Sequence, residues 1–221
     1  MIDLAERIAA LRVRIARACE IAGRDPASVE LLPVSKKQPL DLIDAAAAHG
    51  FNRFGENYVQ EGAEKAQQRP TLNFCLIGPL QRNKAKAALQ AFAEIQTVDR
   101  LELAQRLERM AEELDLRCGV WIQVNLWHEE SKVGGCSESD LPALLDSLQA
   151  TPRLELKGLM AIPPPENTMA FADLSHLRDR LQQKLGQTLR LSMGMSADLE
   201  AAIAAGSDQV RVGTDFFGDR H

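Results

Sequence analysis

The stretch LLPVSKKQPL, residues 31–40, ends an apolar run on Lys36 and Lys37. An amine attacks a carbonyl only without its proton, and partial burial disfavours the ammonium form of a lysine. A lysine at the close of a buried strand is therefore placed to attack an aldehyde and form a Schiff base. The same residue on a rim can instead snorkel to solvent and do no chemistry, and Lys36 alone does not decide between the two. A second chemistry-bearing stretch is LSMGMSADLEAAIAAGSDQVRVGTDFFG, residues 191–218. It reads as strand, turn, helix and strand, with Ser196 expected as the helix N-cap. The hydroxyls of Ser196 and Thr214 and the N–H groups of Gly213 and Thr214 form a donor set suited to a phosphate.

Both stretches need a scaffold that brings them together. Short runs of branched and aliphatic residues occur at 30–35, 52–55, 73–77, 94–97, 119–124, 154–159, 189–193 and 209–212, which predicts eight strands. Between them, segments such as 39–49, 101–114, 139–149, 167–186 and 197–205 space apolar residues three and four apart. Gly50, Gly186 and Gly206 stand where helices should stop. Strand followed by helix, repeated eight times, is the pattern of an α/β fold built as one (β/α)8 TIM barrel. An open doubly wound sheet is the alternative, but no G-x-G-x-x-G follows the first strand. Nothing resembles a linker, so residues 1–221 are expected to form a single domain. Leu4, Ile8, Leu11, Ile15 and Ala18 share one helical face ahead of the first strand. Too little chain follows the eighth strand for a full covering helix, and this leading helix is expected to take that place.

In a closed barrel the first strand adjoins the eighth, and catalytic or binding groups gather at the C-terminal ends of the strands. An amine at strand one and a phosphate cradle at strands seven and eight would both be satisfied by a small molecule carrying an aldehyde and a phosphate. Pyridoxal 5'-phosphate (PLP) is such a molecule. Other classes are set aside. A net charge of -5 argues against a general nucleic-acid binder, and the short basic run QRNKAK, residues 81–86, reads as a solvated helix start. Four separated cysteines (Cys19, Cys75, Cys118, Cys136) and four histidines (His49, His128, His176, His221) show no metal-ligand spacing; the thiols are expected to be buried or incidental. No run is long and apolar enough for a membrane span or a signal peptide, so no membrane partner and a cytoplasmic location are expected.

VSKKQP, RFGENYVQE, IGPLQRNK, VDR, QVNLWHEESKVG, GLMAI, LSMGMSADLEAAIAAGS and VRVGTDFFG occur in that order along nearly the whole chain. Together they resemble the pyridoxal phosphate homeostasis protein family. The resemblance implies the barrel of the alanine racemase N-terminal domain, PLP fold type III, with Lys36 carrying the cofactor as a Schiff base. It further implies that Ser196, Gly213 and Thr214 hold the phosphate, that Arg211 faces the pyridine nitrogen, and that Asn57 and Met193 line the pocket. A guanidinium at that nitrogen keeps it unprotonated and discourages carbanion chemistry. The function implied is that of a non-catalytic, monomeric PLP-binding protein in PLP homeostasis, with PLP-dependent apo-enzymes as transient partners. A PLP-dependent racemase-like enzyme is the alternative, and a Schiff-base aldolase without cofactor is a weaker third. Two-base racemisation needs a second base on the opposite face of the cofactor, and the one tyrosine, Tyr58, in the loop of strand two, is expected to pack or to contact the phosphate instead of facing the far side of the ring. The chain departs from the family pattern at Phe74, Cys75 and Leu76 and at Leu126, Trp127 and His128.

Overall fold

The structure is a computed structural model, and it describes residues 3–127, 134–164, 167 and 169–218. His128 and His221 lie outside these, as does Thr168 within the helical segment expected at 167–186.

All eight expected strands form: β1 (Glu30–Pro33), β2 (Arg53–Glu56), β3 (Asn73–Leu76), β4 (Glu94–Val98), β5 (Cys118–Gln123), β6 (Leu154–Met160), β7 (Arg190–Ser192) and β8 (Gln209–Val212). They pair in parallel in the order β1-β8-β7-β6-β5-β4-β3-β2. A bridge between Val34, just past the end of β1, and Gly55 of β2, with the Ser35 N–H on the Gly55 carbonyl at 2.9 Å, brings the two edges together. The sheet is thus a nearly closed barrel, wrapped by α2 (Leu40–Ala48), α3 (Val59–Gln68), α4 (Ala85–Ala91), α5 (Leu101–Glu113), α6 (Leu141–Gln149), α7 (Ala170–Leu185) and α8 (Leu199–Ala204). Residues 82–84 of the basic run form a short 3-10 turn leading into α4, a helix start as expected. Gly186 ends α7 in the left-handed region, φ 64°, where a side chain would be strained.

The leading helix, α1 (Leu4–Ile21), begins with a capping box in which Asp3 and Glu6 satisfy each other's backbone donors. Ile8, Leu11, Ile15, Ala18 and Cys19 are its buried face. It packs on α8 and on the short α9 (Thr214–Phe217), the place left open after the eighth strand. The main core lies between sheet and helices, while Leu32, Val34, Cys75 and Ile77 form a separate cluster inside the barrel.

One boundary matters for chemistry. The apolar run suggests that β1 continues to Ser35, whereas the strand ends at Pro33 and Lys36 sits in the turn beyond it. The chain leaves the sheet because the Ser35 N–H turns to Gly55 and the Ser35 carbonyl is taken by Lys65 Nζ at 2.6 Å.

Candidate functional site

At the C-terminal ends of the strands a cavity of about 330 Å³ is lined by Lys36, Asn57, Ser196, Arg211, Gly213 and Thr214, with Val34, Ile77, Ile162, Met195 and Ala197 as its apolar wall. Six of the seven residues read from the sequence as site residues therefore meet in one place. The seventh, Met193, is fully buried in the sheet–helix core and does not line the cavity. Ser192 beside it points inward to Arg211, so strand alternation sends Met193 outward. Gly194 then takes a left-handed φ of 92° and breaks the alternation, which puts Met195 on the cavity wall in its stead.

Arg211 is 4% exposed. Its Nη1 donates to Ser192 Oγ at 2.8 Å and its Nη2 to the Ala161 carbonyl at 2.9 Å, which leaves further guanidinium donors for the cavity. Among the described residues it has no carboxylate within ion-pair distance. Burial pulls its pKa down to about 10, with the charge of Asp198 opposing, and it stays cationic at neutral pH. Behind it, hydrogen bonds continue through Ser192 to Gln96 (2.8 Å) and Gln209 (3.0 Å), and from Gln209 to Glu30 (3.0 Å), which also holds Arg53 and Arg190. A buried guanidinium without an ion partner is costly unless its donors are used. This chain fixes its position from within the barrel.

Lys36 is half-buried at the cavity and Lys37, next to it, is exposed with a left-handed φ of 58°. The turn rests on a buried cluster that the sequence did not reveal. Lys65 Nζ donates to the Ser35 carbonyl and, at 2.7 Å each, to Glu56 Oε1 and Glu61 Oε1; Ser35 Oγ donates to Glu56 at 2.6 Å. Burial pushes the Glu56 carboxyl up, with Lys65 and Ser35 opposing. In a helical pattern Lys65 looks solvated, yet Val59, Gly62 and Lys65 form the buried face of α3.

The phosphate-like donor set differs in one detail from expectation. Ser196 does not cap α8; Asp198 occupies the N-cap position and turns its carboxylate back onto the Met195 N–H at 2.6 Å. Ser196 lies in the turn before it, its carbonyl held by Arg14 of α1 at 2.9 Å. Arg14 also pairs with Asp215 and Glu200, so one α1 side chain ties together the loops after β7 and β8. The first N–H groups of α9, on Thr214 and Asp215, have no acceptor within that helix. Asn57 Oδ1 is buried with no hydrogen-bond partner. Its loop is fixed by Gly78, where a Cβ would lie 2.1 Å from the Asn57 carbonyl oxygen. Asn57 also borders a larger cleft of about 700 Å³ that holds Tyr58, Gln81, Lys84 and Arg100.

Residues 7–221 match the family described as alanine racemase, N-terminal domain. A Pseudomonas aeruginosa protein named pyridoxal phosphate homeostasis protein is 44% identical over 224 residues, spanning 100% of this chain and 97% of the relative. The chain belongs to the pyridoxal phosphate homeostasis protein family. PipY of Synechococcus elongatus, solved with PLP bound, is 38% identical with a TM-score of 0.85, covering 98% of this chain and 100% of that one. An alanine racemase of Clostridium difficile shares the fold at 15% identity and a TM-score of 0.79, covering 98% of this chain and 56% of the racemase. Phe74, Cys75 and Leu76, expected to depart from the pattern of the homeostasis protein family at strand three, are not among the residues that line the cavity. Phe74 packs beside Phe54 with ring centroids 6.0 Å apart, and Cys75 fills the barrel interior under Arg53. Leu126 and Trp127 pack on the core, the indole N–H reaching Asp173 at 3.1 Å.

Proposed function

We propose that this protein binds PLP reversibly through Lys36 and serves as a non-catalytic carrier in PLP homeostasis. The observation that carries the reading is the buried, carboxylate-free Arg211 in the same cavity as Lys36 and the Ser196–Gly213–Thr214 donors. The residues fit the cofactor. The cavity of about 330 Å³ lies at the small end of the roughly 300–1,000 Å³ of ligand sites, and the orphaned Asn57 Oδ1 awaits a donor. When bound, PLP supplies an aldehyde that condenses with an amine, losing one water, and a ring able to take up electrons. Lys36 is the amine on the cavity wall. Ser196, Gly213 and Thr214 bind the phosphate, Arg14 bracing their loops from α1. Arg211 would donate to the ring nitrogen and, being cationic at neutral pH, would keep it unprotonated, which would make the ring a poor electron sink. Tyr58, half-exposed, lines the neighbouring cleft and is not among the residues that line the cavity with Lys36, so among the described residues this tyrosine offers no second base there.

The carrier works as a monomer in the cytoplasm and passes PLP to apo-enzymes in transient contacts, without nucleic acid or membrane as partner. Among the described residues no helix is long and apolar enough to cross a membrane. The experiment is a borohydride trap followed by peptide mass mapping. PLP fixed on Lys36, with the visible absorption band lost in Lys36→Ala, is expected; an adduct confined to other lysines refutes the reading. Holo-protein incubated with L-alanine in deuterium oxide should show no steady inversion, and turnover abolished by Tyr58→Phe would make the protein a racemase.

A further inference from the structure

We propose that the buried Glu56–Lys65–Glu61 cluster is a positioning device that aims Lys36, and not its neighbour Lys37, at the carbonyl of the bound ligand. This rests on Lys36 as the attachment point. Two adjacent lysines on a turn have nearly the same reach, so something other than sequence position must choose between them. The choice is made through the backbone on either side of Lys36. On one side the Ser35 carbonyl accepts from Lys65 Nζ at 2.6 Å, and the Ser35 hydroxyl donates to Glu56 Oε1 at 2.6 Å. On the other, the Lys37 N–H donates to Glu61 Oε1, the same oxygen that receives Lys65 Nζ.

An ammonium has three donors, and Lys65 spends all three here: on Ser35, on Glu56 and on Glu61. It is 6% exposed and Glu56 is fully buried, so this pair is fixed in the protein interior, with the partly exposed Glu61 at its rim. Its far anchor is the close contact between α3 and β2. A Cβ on Gly62 would stand 3.3 Å from Glu56 Cβ and only 2.3 Å from the Phe92 ring, so the glycine lets the helix that carries Glu61 and Lys65 approach the strand that carries Glu56. Held at both flanks, the chain places Lys37 in the left-handed region, φ 58°, an uncommon conformation for a side-chain-bearing residue. That reversal leaves Lys37 exposed while Lys36 lines the cavity. Without the Glu61 acceptor, nothing on α3 holds Lys37 in that conformation, and relaxation of the turn brings the two amines into competition.

Two variants test this. Glu61→Ala removes the acceptor of the Lys37 N–H from a helix position that is partly exposed, where alanine suits the helix. The double variant Glu56→Gln with Lys65→Met removes the charge pair together, which avoids leaving one buried charge alone. Each is loaded with PLP, reduced with borohydride and mapped by mass, and each apo-protein is melted. The wild type is expected to carry its adduct on Lys36 only. Both variants should place a measurable share on Lys37, and bind PLP roughly tenfold more weakly, the cost of fixing one loosened backbone residue. Adducts confined to Lys36 with unchanged affinity in both variants overturn the proposal. So does an affinity loss that merely follows a fall in melting temperature with no Lys37 adduct, since that is the signature of a structural role. A wild type that traps nothing on Lys36 defeats the carrier reading itself, and is recognised before any variant is made.

Discussion

A threonine and a valine fill nearly the same space, and that near-identity isolates what the Thr214 hydroxyl does at the cavity. If the hydroxyl serves the phosphate, as proposed, Thr214→Val should weaken PLP binding by about 1–2 kcal/mol and pyridoxal binding hardly at all. Titration of both ligands checks it, and an equal loss for the two would assign Thr214 to packing. At this scale the residues legible in the sequence were those whose chemistry is visible without a fold. Lys36 and the Ser196–Gly213–Thr214 set stand at strand ends, where a barrel gathers its functional groups, whereas Arg211 came only through the family resemblance. Met193 was misplaced because a single left-handed glycine, Gly194, reverses which of two methionines faces the cavity. Lys65 was invisible for a different reason: its burial depends on Glu56 and Glu61 being close to the turn after β1, and no local pattern records a three-way contact across 30 residues.

At the scale of the element, two glycines hold loops and helices at distances that a methyl group would forbid, and they should respond unequally. At Gly78 a Cβ would lie 2.1 Å from the Asn57 carbonyl oxygen and 2.7 Å from its Cα, and backbone atoms cannot rotate away. Gly78→Ala is therefore expected to cost about 1–3 kcal/mol of stability and to shift Asn57, weakening PLP binding as well. At Gly62 the obstacle is the Phe92 ring, a side chain that can yield, and alanine gains roughly 0.8–1.0 kcal/mol over glycine inside a helix. Gly62→Ala should be the milder change in chemical unfolding, and the reverse order would show that Phe92 is the more rigid neighbour. The strands and helices themselves were readable from periodicity, and so was the use of α1 as a cover. Beyond reach was the service α1 performs through Arg14, whose partners Ser196, Glu200 and Asp215 lie at the opposite end of the chain.

Across the whole molecule, burial sets a pH dependence that no single site explains. All four cysteines are free and buried, as the absence of any paired spacing suggested. Burial pushes Cys75, Cys118 and Cys136 from 9.0 up to about 12 each; Arg53 opposes the shift at Cys75, while Glu94 reinforces it at Cys118 and Asp99 at Cys136. The native state thus keeps three thiol protons that the unfolded chain gives up above pH 9. The stability tied to these protons is fully present below the unfolded pKa and is lost as pH rises from about 9 toward 12, by at most about 1.4 kcal/mol per pH unit for each thiol. The protein should therefore be alkali-labile, with thiols that stay unreactive to a disulfide reagent at pH 8 until it unfolds. Urea midpoints at pH 8, 9.5 and 10.5 separate this from lysine and tyrosine ionisation when wild type is compared with Cys75→Ala. The variant starts lower, because a buried side chain has been cut back, but its stability should fall less steeply over the alkaline range. Parallel slopes for the two proteins, or a wild-type thiol that reacts at pH 8 under native conditions, would mean that water reaches Cys75 inside the barrel and that the interior around Arg53 is open.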